Sequence, residues 1–140
     1  MNQQIVSSAE GMMELGAEFA ATSGAGCVYG LVGTLGTGKT HWSKGFVHGI
    51  DPSATVTSPT FGIVNEYRGG KHPVFHFDFY RLKSAEELLA LGWDEYLDEG
   101  GITICEWADL FPQLMPDETV WLEITHQPDG SRLLSRSAKP

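Results

Sequence analysis

The sequence predicts an α/β fold, a three-layer sandwich with a mixed, partly parallel central sheet flanked by helices. Three observations carry this. The apolar runs CVYGLV (27–32), PVFHF (73–77) and ITIC (102–105) have strand length and read as strands buried on both faces. Between them lie stretches with helical spacing and capping residues, the pattern of an α/β sheet. With 41% hydrophobic and 19% charged residues, the 140-residue chain can bury a core and is not a disordered polymer. One domain over 1–140 is the expectation at this length.

The elements follow in order. Ser8 is the expected N-cap of an opening helix in which Met12, Leu15, Gly16 and Phe19 recur at helical spacing to about Ala21. Small residues at 22–26 break it, and Cys27–Val32 is a strand that enters a Gly-rich loop at Gly33. A helix begins near Gly38 and carries Trp42, Gly45 and Phe46 towards a stop near Gly49 and Pro52. Residues 55–67 hold the loop Ser58-Pro59-Thr60-Phe61 and then the extended stretch FGIVNEY. Arg68, Gly69 and Gly70 turn the chain into the strand Pro73–Phe77, which closes at Asp78, so an antiparallel hairpin is expected within 55–77. Ser84 caps a helix with Glu86 and Glu87 in its first turn and Leu88, Leu89 and Leu91 as its apolar side. Gly100 and Gly101 lead into the strand Ile102–Cys105, closed by Glu106. Thr119–Thr125 is the last clear strand, and the tail from about residue 127 either pairs or frays.

The charge balance narrows the function classes. Nine Lys plus Arg against eighteen Asp plus Glu give a net charge of −9. Autonomous nucleic-acid binding and adhesion to anionic membranes both depend on cationic residues, so neither is expected. No apolar run approaches the roughly 20 residues of a membrane span, and the first residues lack a basic n-region and an apolar h-region, as expected of a cytoplasmic protein. Cys27 and Cys105 sit in apolar runs and read as reduced core residues.

One segment carries specific chemistry. Gly33-Thr34-Leu35-Gly36-Thr37-Gly38-Lys39-Thr40 fits G-x-x-x-x-G-K-[ST] at every required position, with an apolar strand before it and a helix after it. A loop that wraps a polyphosphate must bring backbone N–H groups close to oxygen, which favours residues without a Cβ. The helix N-terminus adds partial positive charge there. Gly33, Leu35, Gly36, Thr37, Gly38, Lys39, Thr40 and His41 are therefore the nucleotide-binding candidates, with ATP or ADP and Mg²⁺ as the expected ligands. Lys39 reaches the β- and γ-phosphates, and the Thr40 hydroxyl ligates Mg²⁺. The motif makes the predicted fold P-loop NTPase-like.

Such a site needs acids at neighbouring strand ends, where ligands bind in open α/β sheets. Asp78 and Glu106 each close a short apolar run, and residue type alone leaves open which orients water and which holds metal. Arg81, after Tyr80, pairs either with phosphate or with an acidic neighbour. Ser58 and Thr60 sit in a loop that is either switch-like, with a hydroxyl reaching the γ-phosphate, or a plain Ser-Pro turn. His72 and His76 are about 13 Å apart along a strand, too far for a zinc pair, and read as packing or exposed residues. Trp107 reads as a packing residue at the border of the site.

With these residues assembled, the chain from about Ser8 to Ile124 resembles the TsaE (YjeE) family, small P-loop ATPases of tRNA threonylcarbamoyladenosine synthesis. The resemblance rests on GTLGTGKT at 33–40, SPTF at 58–61, HFDFYRL at 76–82, the EL…LGWDEYL stretch at 87–97 and ICEW at 104–107, in that order. It implies one α/β domain that binds ATP and Mg²⁺ and hydrolyses ATP slowly. Hydrolysis would depend on the TsaB–TsaD pair, which transfers threonylcarbamoyl to adenosine 37 of certain tRNAs. Carried over, Lys39 holds phosphate, Thr40 and Glu106 surround Mg²⁺, Asp78 is a further essential acid, Thr60 lies in a switch-like loop, and Trp107 is the aromatic after the acid. Where the family usually has a Thr on its opening helix this chain has Gly11, so Ser8 or Glu10 would take over a nucleobase contact. Arg132 corresponds to the family's C-terminal arginine near the nucleotide. Two other readings use the same loop: a small-molecule kinase, for which four arginines and no lid-length insertion are poor support, and a nucleotide-gated docking module with little turnover.

Overall fold

The computed structural model describes residues 3–56 and 62–140. Its helices are α1 (Ala9–Thr22), α2 (Lys39–Ile50), α3 (Ala85–Ala90) and α4 (Trp93–Asp98). Its strands are β1 (Gln3–Val6), β2 (Val28–Val32), β3 (Val64–Tyr67), β4 (Val74–Asp78), β5 (Ile102–Glu106), β6 (Val120–His126) and β7 (Arg132–Ser137). They form one sheet in the order β1-β7-β6-β2-β5-β4-β3. The central run β6-β2-β5-β4 is parallel, and both flanks are antiparallel. This is the mixed α/β sandwich the sequence predicts.

Alternation along the strands splits the interior into two layers. Tyr29 and Leu31 of β2 join Ile102 and Ile104 of β5 against Met12 and Leu15 of α1 and Trp42 and Phe46 of α2. Val28, Phe75, Phe77 and Cys105 face the other way, towards Leu88 of α3, Trp93 of α4 and Met115. Successive side chains on a strand point to opposite faces, so strands covered on both sides are apolar at most positions. The two helices on the first face are drawn together by glycines: a Cβ on Gly16 would lie 2.1 Å from the Trp42 carbonyl, and one on Gly45 would lie 1.9 Å from that of Met13.

The structure corrects or completes several expectations. Leu88 is buried, but Leu89 and Leu91 are 45% and 42% exposed. Residues at i, i+1 and i+3 span too much of a helix's circumference to share one face, and the helix ends at Ala90 before Gly92 (φ +99°) starts a new one. The tail pairs: β7 runs antiparallel to β6 and takes β1 on its outer edge. That first strand lies in polar sequence (QQIV), with only Val6 buried, and gives no apolar signal of its own. The hairpin is present as β3 against β4, and both cysteines are free, Cys105 buried and Cys27 half-buried against the core. Ser58 and Thr60 lie outside the described residues.

Candidate functional site

Strand β2 delivers the chain into the loop at Gly33, and α2 receives it at Lys39. Gly36 (φ +79°) and Gly38 (φ +112°) adopt left-handed backbone that side chains oppose, which accounts for glycine at both points. Thr37 is buried and its hydroxyl donates to the Thr34 carbonyl (2.9 Å), closing the loop on itself. Leu35 stands 81% exposed on the crest. Lys39 folds back: its Nζ donates to the carbonyls of Gly33 (2.6 Å) and Thr34 (2.9 Å) and lies 4.2 Å from the Trp107 ring centroid. Burial lowers the Lys39 pKa, opposed by Glu106, Asp109 and Asp78, which favour its charge.

The acids arrive on the neighbouring strands. Asp78 and Glu106 are register partners at the carboxyl ends of β4 and β5. Glu106 accepts from the Thr40 hydroxyl (3.0 Å to Oε1, 3.3 Å to Oε2) and lies 2.5 Å from Nε2 of His76, which is fully buried. Asp78 accepts from the Tyr80 amide (3.1 Å) and pairs loosely with Arg81 (3.6 Å). Its carboxyl pKa is raised, first by burial and further by Glu106, while the Tyr80 amide pulls it down. Arg81 thus has an acidic neighbour in Asp78, one of the two partners its sequence position offers. Tyr80 is exposed and packs against Trp107, the ring centroids 4.9 Å apart and the planes tilted by 41°. Trp107, with φ +59°, is the sole non-glycine at positive φ among the described residues.

Two clefts flank the loop. One of about 630 Å³ has Lys39, Thr40, Asp78, Arg81, Glu106 and Trp107 in its wall. The other, about 230 Å³, is walled by Ser8, Met12, Gly36, His41 and Arg132. Arg132 donates to the Gly36 carbonyl (3.2 Å), so β7 buttresses the loop. Ser8 spends its oxygen on capping α1, accepting from the Gly11 amide (3.0 Å). A Cβ at Gly11 would approach Ser8 Oγ and Val6 at 3.2 Å, so a larger residue there would press on the cap and on β1.

The donors suit a hard cation held largely by other ligands. One hydroxyl and one or two carboxylates are oxygen donors of the kind Mg²⁺ prefers while keeping waters and phosphate oxygens. No group of three or more His, Cys, Asp or Glu among the described residues forms a cage for a metal held by protein alone. The loop amides and the Lys39 ammonium beside them are donors of the kind a phosphate accepts.

The family model for "Threonylcarbamoyl adenosine biosynthesis protein TsaE" matches residues 6–134. The chain belongs to the TsaE family. Proteins named tRNA threonylcarbamoyladenosine biosynthesis protein TsaE resemble it across several bacteria. That of Bacillus subtilis is 39% identical over 119 residues, 85% of this chain and 74% of the relative. That of a Nostoc species is 33% identical over 135 residues, 94% of this chain and 83% of the relative, and that of Rickettsia bellii 32% over 133 residues, 94% and 92%. The crystal structure of Bacillus subtilis YdiB matches with a TM-score of 0.81 at 31% identity, covering 99% of this chain and 85% of that one. The TsaE family acts in tRNA threonylcarbamoyladenosine biosynthesis.

In this TsaE chain the fold brings together Lys39, Thr40, Asp78, Arg81, Glu106 and Trp107 on one side of the loop, and Ser8, His41 and Arg132 on the other. Sequence reasoning missed the contact of His76 with Glu106. A signal existed: His76 and Asp78 are two apart on a strand and share a face, the same face that Ile104 and Glu106 present on β5. Asp109, which acts on Lys39 through space, gave no signal because it lies beyond the strand end in a 3₁₀ turn. No helix among the described residues is long and apolar enough to cross a membrane.

Proposed function

We propose that this chain binds ATP and Mg²⁺ on loop 33–40, hydrolyses ATP slowly in the cytoplasm, and so supports a TsaB–TsaD pair that carries the threonylcarbamoyl transfer to adenosine 37 of tRNA. The observation that carries the reading is the meeting of the Thr40 hydroxyl with the Glu106 carboxylate at 3.0 Å, beside Lys39 and one strand from Asp78. A phosphate loop, a hydroxyl and two acids converging at strand ends is what positioning and charge stabilisation around a γ-phosphate require.

The roles divide by environment. Loop amides and the Lys39 ammonium cradle the phosphates, and Lys39 exchanges the carbonyls of Gly33 and Thr34 for phosphate oxygens. Thr40 and Glu106 hold Mg²⁺, which when bound neutralises charge on the phosphate oxygens. Asp78 is left to orient the attacking water, and burial raises its pKa in the direction that makes a carboxylate a better base. The cleft walled by Ser8, His41 and Arg132 takes the nucleoside end. A net charge of −9 leaves the RNA to the partners.

The test is ATP hydrolysis with and without TsaB–TsaD, on the wild type and on Lys39→Ala, Asp78→Ala and Glu106→Ala. The wild-type rate should rise with partners, and each variant should lose about 100-fold or more, the scale of removing one transition-state stabiliser. Variants that turn over at the parent rate would sink the reading.

A further inference from the structure

His76 occupies a position that packing alone does not explain. On β4 its neighbours in sequence are Phe75 and Phe77, both fully buried, and His76 itself is 0% exposed. It points to the layer of Val74, Ile104 and Leu31, where an imidazole without hydrogen bonds costs about 1–3 kcal/mol relative to an apolar side chain. Its one hydrogen-bond partner among the described residues is Glu106, with Nε2 and Oε2 2.5 Å apart, while Nδ1 is buried and has none. A ring carrying its proton on Nε2 leaves only a weakly demanding lone pair at Nδ1. The other tautomer would bury an unpaired N–H and turn a lone pair towards a carboxylate.

We propose that His76 is the positioning residue of Glu106: its Nε2–H holds Oε2, so that Oε1 stays turned to the Thr40 hydroxyl and to the cation. The inference rests on the reading of Thr40 and Glu106 as the Mg²⁺-holding pair. A glutamate has three side-chain torsions to fix, and a ligand fixed beforehand loses less freedom on binding. The distances fit the division. Thr40 Oγ1 is nearer to Oε1 (3.0 Å) than to Oε2 (3.3 Å), the oxygen that His76 holds. Backbone geometry supplies the alignment, because β4 and β5 are parallel and in register from Val74–Ile102 to Asp78–Glu106. A side chain two residues before the strand end on β4 therefore reaches diagonally to the last residue of β5. Asp78 takes no part in this contact and keeps its own oxygen on the Tyr80 amide.

Two measurements test the proposal. The first needs no ligand: long-range ¹H–¹⁵N correlation on the full chain identifies the ring tautomer. A proton on Nε2 of His76 is expected, and a ring protonated on Nδ1 alone would overturn the assignment. The second is ADP affinity by calorimetry, titrated with Mg²⁺ and repeated in EDTA, for wild type, His76→Leu and His76→Gln. In His76→Leu the Mg²⁺ concentration giving half the tightening should rise about tenfold, the usual effect of losing a partner that orients a metal ligand. Its affinity in EDTA should equal that of the wild type. In His76→Gln the amide N–H replaces the Nε2 donor and the Mg²⁺ response should return to within about threefold of wild type. This rescue separates positioning from packing, since Gln fills the site less like His than it donates like it. A wild type that responds to Mg²⁺ beside a His76→Leu protein that responds identically defeats the positioning role alone. A wild type indifferent to Mg²⁺ defeats the underlying reading, and the role with it.

Discussion

Asp78 and Glu106 face each other as register partners at the carboxyl ends of parallel β4 and β5, two carboxylates on adjacent strands of one sheet. Their surroundings differ. Glu106 is held by the Thr40 hydroxyl and His76, whereas Asp78 has a backbone amide and Arg81 at a loose 3.6 Å. Burial and the Glu106 charge both raise the Asp78 pKa. Asp78 is thus the less firmly held of the two, and it is the acid that the proposed function assigns to orienting water.

Asp78→Asn should therefore stabilise the protein at pH 7. A carboxyl whose folded pKa lies above its unfolded value binds protons more tightly when folded, so the fold carries a penalty once pH exceeds the folded pKa. That penalty disappears as pH falls below the ordinary value of 3.8. The amide keeps the Oδ1 acceptor for the Tyr80 N–H while removing the charge. Thermal melts should show a higher Tm for Asp78→Asn at pH 7 and a gap that closes in acid, and hydrolysis should be lost. A lower Tm at pH 7 would show that Arg81 outweighs burial.

Gly16→Ala and Gly45→Ala should each destabilise by about 2–3 kcal/mol. The added Cβ would meet backbone carbonyls of the partner helix at 2.1 Å and 1.9 Å, and backbone cannot rotate away as a side chain can. α1 and α2 would have to separate, opening the layer that holds Trp42 and Phe46. Urea unfolding should show a lower midpoint with unchanged slope. A midpoint within error of wild type would mean that the two helices slide without loss.

How much of this was legible beforehand divides by the range of the interaction. The loop 33–40, the strand-end acids and the Ser8 and Ser84 caps are local, and their residue types announce them. β1 was not legible, because QQIV has one buried residue and owes its strand to pairing with β7, some 130 positions along the chain. The apolar side given to Leu89 and Leu91 failed because residues at i, i+1 and i+3 do not share one helix face, and because the helix ends at Ala90. The sequence reads His76 as a packing or exposed residue, because its contact with Glu106 depends on the register between β4 and β5, a property of the pairing and not of either strand.

Ser8→Ala should cost about 1 kcal/mol through the loss of the α1 cap, and Ser8→Asp should keep it. The Ser8 oxygen accepts from the Gly11 amide at 3.0 Å, and the residue also lines the cleft beside Gly36 and Arg132. Denaturation midpoints measure the cap, and ADP affinity measures the cleft. If Ser8→Ala leaves stability unchanged, water satisfies the helix end as well as the hydroxyl does.

Lys39→Met should lower ATP affinity by about 10- to 100-fold, the range expected for losing one hydrogen bond to a charged group. The ammonium now sits on the carbonyls of Gly33 and Thr34 and over the Trp107 ring, so a phosphate must draw it from both. That exchange should be visible as a change in tryptophan emission on adding nucleotide. Trp42, Trp93 and Trp121 are 0%, 1% and 5% exposed, within the cores, and Trp107 alone borders the cleft. Trp107→Phe should abolish the emission change while calorimetric affinity stays within about threefold, because a phenyl ring retains part of the cation–π attraction. An emission change that survives in Trp107→Phe would place the sensor elsewhere and break the link between Lys39 and the ring.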